Sequence, residues 1–124
     1  MEKRVVLLDD DDDLRWAFAN MVLVLADQEC LCVGSFDELV QHKDCVLKAS
    51  LAILDVNLGS GAPSGLDAYR WLRRYGFSGT IVFLTGHAAS QPLVVEARRL
   101  GDAQVFEKPL PIPEIMRLLD GGAD

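Results

Sequence analysis

Val5-Val6-Leu7-Leu8-Asp9-Asp10-Asp11-Asp12-Asp13 is the stretch that decides how this chain folds. Four apolar residues in a row suit a strand covered on both faces, as strands of parallel sheets are. Five carboxylates follow where the strand leaves the sheet. In open α/β sheets ligands bind in the crevice beyond the carboxyl ends of the strands. Carboxylates crowded there repel one another unless a cation lies among them. Two readings stay open for this stretch alone: a divalent-metal site, or a solvated acidic turn that caps the next helix.

Outward from it, Leu14, Ala17, Phe18, Met21, Val22 and Leu25 recur at helical spacing and predict a helix with one apolar face. Asp12 or Asp13 serves as its N-cap, and Trp16 and Leu23 fall off the stripe. A short strand follows over 29–33. Ser35-x-x-Glu38 is a capping-box pattern opening a helix over 37–47. Leu51-Ala52-Ile53-Leu54 repeats the buried-strand pattern and ends on Asp55. The loop 56–65 is rich in turn formers. A helix over 65–74 places Leu66, Tyr69 and Leu72 or Arg73 inward, with Gly76 as its C-cap. A fourth strand over 80–84 delivers Thr85-Gly86-His87. The next helix, 91–100, turns Leu93, Val94, Ala97 and Leu100 inward. A fifth strand over 104–107 ends in Lys108-Pro109. The last helix places Ile112, Ile115, Met116 and Leu119 on one face and ends near Gly121-Gly122.

Strands and helices thus alternate five times, which calls for one parallel sheet with right-handed crossovers and helices on both faces. All 124 residues make one domain. A net charge of -7 argues against non-specific nucleic-acid binding. Apolar stretches such as 21–26 are far too short to span a bilayer. The first residues lack a secretory h-region, so the cytoplasm is expected. Cys30, Cys32 and Cys45 show no zinc-ribbon or thioredoxin spacing and read as buried structural thiols, with Cys30 and Cys32 on opposite faces of their strand.

Alternation brings every strand's carboxyl end to one side, so Asp9, Asp10, Asp55, Thr85 and Lys108 arrive at the same edge. This set resembles the response-regulator receiver domain over essentially the whole chain. The segment 7–15 looks like the family's acidic-pair motif, and Leu54-Asp55-x-Asn57-Leu58 like its phosphoacceptor motif. Leu84-Thr85-Gly86-His87 and Glu107-Lys108-Pro109 look like its strand-4 and strand-5 motifs. The resemblance implies a flavodoxin-like (βα)5 fold with strand order 2-1-3-4-5. It implies phosphoryl transfer to Asp55 from a sensor histidine kinase or a histidine phosphotransfer protein, with no turnover beyond self-catalysed acceptance and loss of that group. It implies Mg2+ or Mn2+ held by Asp10, Asp55 and the Asn57 backbone carbonyl, with Asp9 acting partly through water. Lys108, on a cis bond to Pro109, would pair with the phosphoryl group, and Thr85 would hydrogen-bond to it. Asp11, Asp12 and Asp13 are then turn and cap.

Two departures from the family pattern stand out. Gly59 takes the usual proline position, and Pro63-Ser64-Gly65 arrives about two residues late, so the loop is longer and glycine-rich. Val105 stands where the family usually carries an aromatic, and Phe106, one residue on, points to the other face. His87 reads as a solvated loop residue, with a tuning role in dephosphorylation as the alternative, and His42 as surface. The family's usual output face, the fourth helix, fifth strand and fifth helix, would present Val95, Arg98, Arg99, Arg117 and Leu118 to a downstream protein, a fused effector or a second copy in a homodimer. The competing reading is a receiver-like interaction module that works without phosphorylation. A haloacid-dehalogenase-type phosphohydrolase fits less well, because Asp13 replaces its usual threonine.

Overall fold

The computed structural model describes residues 4–120. The four apolar residues that open the chain form β1 (Val5–Leu8), and each is at most 1 % exposed. Both faces are covered, which is why no polar residue interrupts the run. The remaining strands are β2 (Cys30–Val33), β3 (Leu51–Asp55), β4 (Thr80–Thr85) and β5 (Ala103–Glu107). All neighbours pair in parallel, in the order β2-β1-β3-β4-β5, as the resemblance implied.

Period-two alternation splits the core into two layers. Val5, Leu7, Ile53, Val82 and Leu84 face α1 (Asp12–Ala26) and α6 (Ile112–Leu119), meeting Phe18, Val22, Ile115 and Leu118. Val6, Leu8, Leu54, Ile81 and Phe83 face the other helices: α2 (Phe36–Gln41), α3 (Lys43–Leu47), α4 (Gly65–Arg74) and α5 (Pro92–Arg98). Each buried side chain of this size stabilises the fold by roughly 1.5–3 kcal/mol.

Several local expectations are corrected. Asp11, not Asp12 or Asp13, caps α1: its carboxylate accepts from the N–H groups of Asp13 and Leu14 at 2.9 and 3.1 Å. The chain turns helical one residue earlier than expected, so the extended cap position falls on Asp11. On α1 only Phe18 and Val22 are fully buried; Ala17 is exposed and Leu25 is 38 % exposed. A helix of about 22 Å lies across strands of about 13 Å, so it outreaches the surface that covers it.

The helix expected over 37–47 is two helices, broken at His42, whose φ of -103° and ψ of 30° leave the helical range. Ser35 caps the first, accepting from Glu38 N–H at 3.1 Å, while Glu38 accepts from Gly34 N–H at 2.8 Å. Cys30 and Cys32 lie on the same face, with sulfurs 3.7 Å apart. Positions i and i+2 of a strand share a face, so the opposite-face expectation misapplied the alternation. All three cysteines are half-buried rather than buried.

In α6 the buried stripe is Ile115 and Leu118, with Leu119 partly buried. Ile112 and Met116 are 53 % and 37 % exposed. Leu118, expected outward, is therefore core. Both stripes have helical spacing, and the docking of the helix beside buried Leu110 selects the second. The expected helix end near Gly121-Gly122 lies outside the described residues.

Ser64 opens α4 with a full capping box, its hydroxyl accepting from Leu66 and Asp67 N–H while Asp67 accepts from Ser64 N–H. Gly65 N–H donates to the Val56 carbonyl at 3.0 Å, and a Cβ on Gly65 would sit 2.2 Å from the Asp55 carbonyl oxygen. Backbone meets backbone there, so nothing can yield. Gly65→Ala is expected to destabilise the domain by about 2–4 kcal/mol in urea unfolding. Gly101→Ala, whose added Cβ meets nothing within 4 Å, should shift stability by less than about 1 kcal/mol.

Candidate functional site

Parallel pairing carries the strand ends to one edge, and the residues expected there do converge. Asp9 extends the β1 ladder, its N–H donating to the Val33 carbonyl at 3.1 Å, and it is fully buried. Asp10 is exposed beside it. Asp55 ends β3, is 4 % exposed, and accepts from Asn57 N–H at 3.3 Å. Lys108 follows β5 on a cis bond to Pro109, and its N–H donates to the Thr85 carbonyl at 2.9 Å. Its ammonium lies 2.8 Å from Asp9 and 3.1 Å from Asp55. Thr85, 1 % exposed, accepts from His87 N–H at 2.9 Å. A cavity of about 440 Å³ opens above them, lined by Asp10, Asp55, Asn57, Lys108 and the loop residues Gly59 and Ser60.

One supporting residue was not singled out from the sequence. Arg15, on the first turn of α1, donates to the Asp9 carbonyl at 2.7 Å and pairs with Asp12. Its guanidinium ties the strand end to the helix start and holds the backbone of the acidic pair. Its spacing from Asp9 was the available signal, but an arginine in a helix's first turn has many ordinary uses.

The electrostatics are those of a crowded anionic pocket with one fixed cation. Burial, reinforced by the negative charge of Asp9, pushes the Asp55 carboxyl up to about 6, against the opposing pull of Lys108 and of Asn57 N–H. Burial alone would lower the Lys108 ammonium, but hydrogen bonding and charge from Asp9 and Asp55 outweigh it and raise it above its ordinary value. The Lys108 ammonium is the partner of the buried Asp9 Oδ2, at 2.8 Å. Asp9, Asp10 and Asp55 each offer an oxygen, all within 4.8 Å of one another. This all-oxygen donor set of three carboxylates fits a hard divalent cation such as Mg2+ or Mn2+.

On β5, Val105 pairs in register with Phe83 and packs on the α2–α5 side, while Phe106 pairs with Leu84 and packs on the α1–α6 side. The two point oppositely, as the one-residue offset requires, and both are half-buried.

Residues 5–120 match the model of the response regulator receiver domain. The chain belongs to that family. This receiver is 31 % identical over 114 residues to the response regulator protein TodT of Pseudomonas putida, an alignment covering 90 % of this chain and 47 % of that protein. The chain thus spans about half the length of the curated relatives it matches. In fold it is similar to the chemotaxis protein CheY4 of Vibrio cholerae, at 18 % identity and a TM-score of 0.76, covering 97 % of this chain and 98 % of that one. It is also similar to the receiver domain of NtrX from Brucella abortus, at 21 % identity and a TM-score of 0.76, covering 94 % of each. The receiver is therefore a two-component signalling module. Among its described residues no helix is long and apolar enough to cross a membrane.

Asp55 makes the receiver's stability depend on pH. Its carboxyl ionises near pH 6 when folded, against about 3.8 in the unfolded chain. The folded state therefore holds an extra proton between those values. The resulting stability is fully present below the lower value and lost as pH rises through about 6, a change on the order of 2–3 kcal/mol. In chelator-treated protein, the melting temperature of wild type relative to Asp55→Asn should fall across that window. A wild-type-minus-variant difference flat in pH counts against the raised carboxyl.

Proposed function

We propose that Asp55 accepts a phosphoryl group from a phosphohistidine on a sensor histidine kinase or phosphotransfer protein. The observation that carries this is the Lys108 ammonium held between Asp9 and Asp55 at the mouth of an acidic cavity. The Asp55 carboxylate attacks phosphorus, an O–P bond forms as the N–P bond breaks, and the leaving imidazole keeps its electron pair. Lys108 moves its charge from the carboxylates to a phosphoryl oxygen, and the Thr85 hydroxyl donates to another. His87, whose N–H donates to the Thr85 hydroxyl, lines the same cavity. Asp10, Asp55 and the Asn57 carbonyl would hold Mg2+ or Mn2+, with Asp9 acting partly through water. Bound there, the ion offsets the repulsion between carboxylate and phosphoryl group. It also favours ionised Asp55, the form that attacks.

Phosphorylation then alters the surface shown to a downstream protein or fused effector. The cytoplasm is the compartment in which this exchange takes place. Val105, without an aromatic ring to swing inward, favours one second reading, a receiver-like module that binds its partner without phosphorylation. Acetyl phosphate with Mg2+ separates the two. The expected result is a mass gain of one phosphoryl group on wild type, none on Asp55→Asn, and labelling slowed by at least about a hundredfold in Lys108→Ala. An unlabelled wild type under saturating donor leaves the phosphorylation-independent reading standing.

A further inference from the structure

The loop that departs from the family pattern borders two cavities. Gly59 and Ser60 rim the acidic cavity above Asp55. The next three residues, Gly61, Ala62 and Pro63, rim a second cavity of about 590 Å³, walled by Phe36 of α2 and by Trp71, Arg70 and Arg74 of α4. Between its anchors the loop is unpacked. Leu58 is 8 % exposed and Ser64 is fastened in the capping box. Gly59 and Gly61, at φ of 113° and 76°, have open space where a Cβ would stand. One internal hydrogen bond, Ala62 N–H to the Gly59 carbonyl at 3.3 Å, links the portion at the first cavity to the portion at the second. The same short segment thus borders both cavities.

The second cavity joins two aromatic rings, two arginines and one carboxylate, Asp67, in a chain of net charge -7. Trp71 meets Phe36 edge-on at 6.2 Å and Tyr75 at 5.4 Å, and Lys43 lies 4.0 Å over the Tyr75 ring. Arg70 is engaged by Glu96 and Asp67. Lys43 and Arg74 have no ion pair among the described residues. Arg74, a lining cation without an ion pair among the described residues, beside the Trp71 and Phe36 rings complements an acidic segment that carries an apolar side chain.

We propose that the groove between the 59–63 loop, α2 and α4 is a docking surface for an acidic segment of a partner protein, and that the loop makes it responsive to the state of Asp55. This rests on Asp55 being the phosphoacceptor. By linkage, occupancy of the groove and modification of Asp55 change each other's affinity by the same factor. It gives the receiver an output surface that does not depend on the ring missing at Val105.

The test uses this 124-residue chain with Trp16→Phe, labelled with 5-fluorotryptophan, so that Trp71 is its one indole. Mg2+ and beryllofluoride should produce a bound beryllofluoride fluorine resonance and, with the same saturation, a shifted Trp71 resonance. Removing Ser60 and Gly61 should keep the first signal and lose the second. A fluorescein-labelled peptide, Glu-Glu-Phe-Glu-Pro-Glu, should bind at least tenfold more weakly to Arg74→Glu than to wild type, and its affinity for wild type should change on beryllofluoride addition. Bound beryllofluoride with an unmoved Trp71 overturns the coupling while leaving the phosphoacceptor reading intact. Absence of a bound beryllofluoride resonance overturns both. Peptide affinity that is unmeasurable, or equal in Arg74→Glu, overturns the acidic partner.

Discussion

The ammonium of Lys108, 2.8 Å from Asp9 and 3.1 Å from Asp55, is the contact on which the upper edge of the sheet depends. Two buried carboxylates at neighbouring strand ends oppose each other, and burial adds to the cost of charging them. One cation shared between them makes the arrangement tolerable without neutralising it. The raised Asp55 carboxyl shows how incomplete that compensation is. Asp9, Asp10 and Asp55 leave three carboxylate oxygens within 4.8 Å of one another at this edge. A lysine shared by two carboxylates is also able to turn to a third anion.

The rest of the fold serves to hold those three groups in place. β1 and β3 are buried on both faces, so Asp9 follows and Asp55 ends strands that are buried throughout. Lys108 is positioned from the far side by its N–H bond to Thr85, which links β4 and β5 beyond their last pair. Arg15 ties Asp9 to α1, and Gly65 packs against the Asp55 carbonyl. At the end of the loop, Gly65 brings the start of α4 against the backbone of Asp55 and Val56. Freedom is confined to the loop tip, where glycines border open space on two sides.

The peripheral helices follow a looser logic. α1 buries Phe18 and Val22 but leaves Trp16 and Val24 71 % and 80 % exposed. Its apolar composition exceeds what its contact with short strands requires. α6 similarly offers two possible stripes and uses one.

Strand positions and the convergence of Asp9, Asp10, Asp55, Thr85 and Lys108 were legible in the sequence, and the strand order came from the family resemblance. Unbroken apolar runs ending in polar residues admit few other readings, and alternation with helices forces the strand ends to one edge. The opposed directions of Val105 and Phe106 were legible for the same reason. The cap on Asp11, the break at His42 and the buried face of α6 were not, because several residues satisfied each local rule equally well. Only docking chose among them. The roles of Arg15 and Gly65 also depend on tertiary structure, since each acts on the backbone of a strand end that the chain reaches only by folding. So does the acidic pair's behaviour as a charged unit: five adjacent aspartates look alike in sequence, and burial separates Asp9 from its four exposed neighbours.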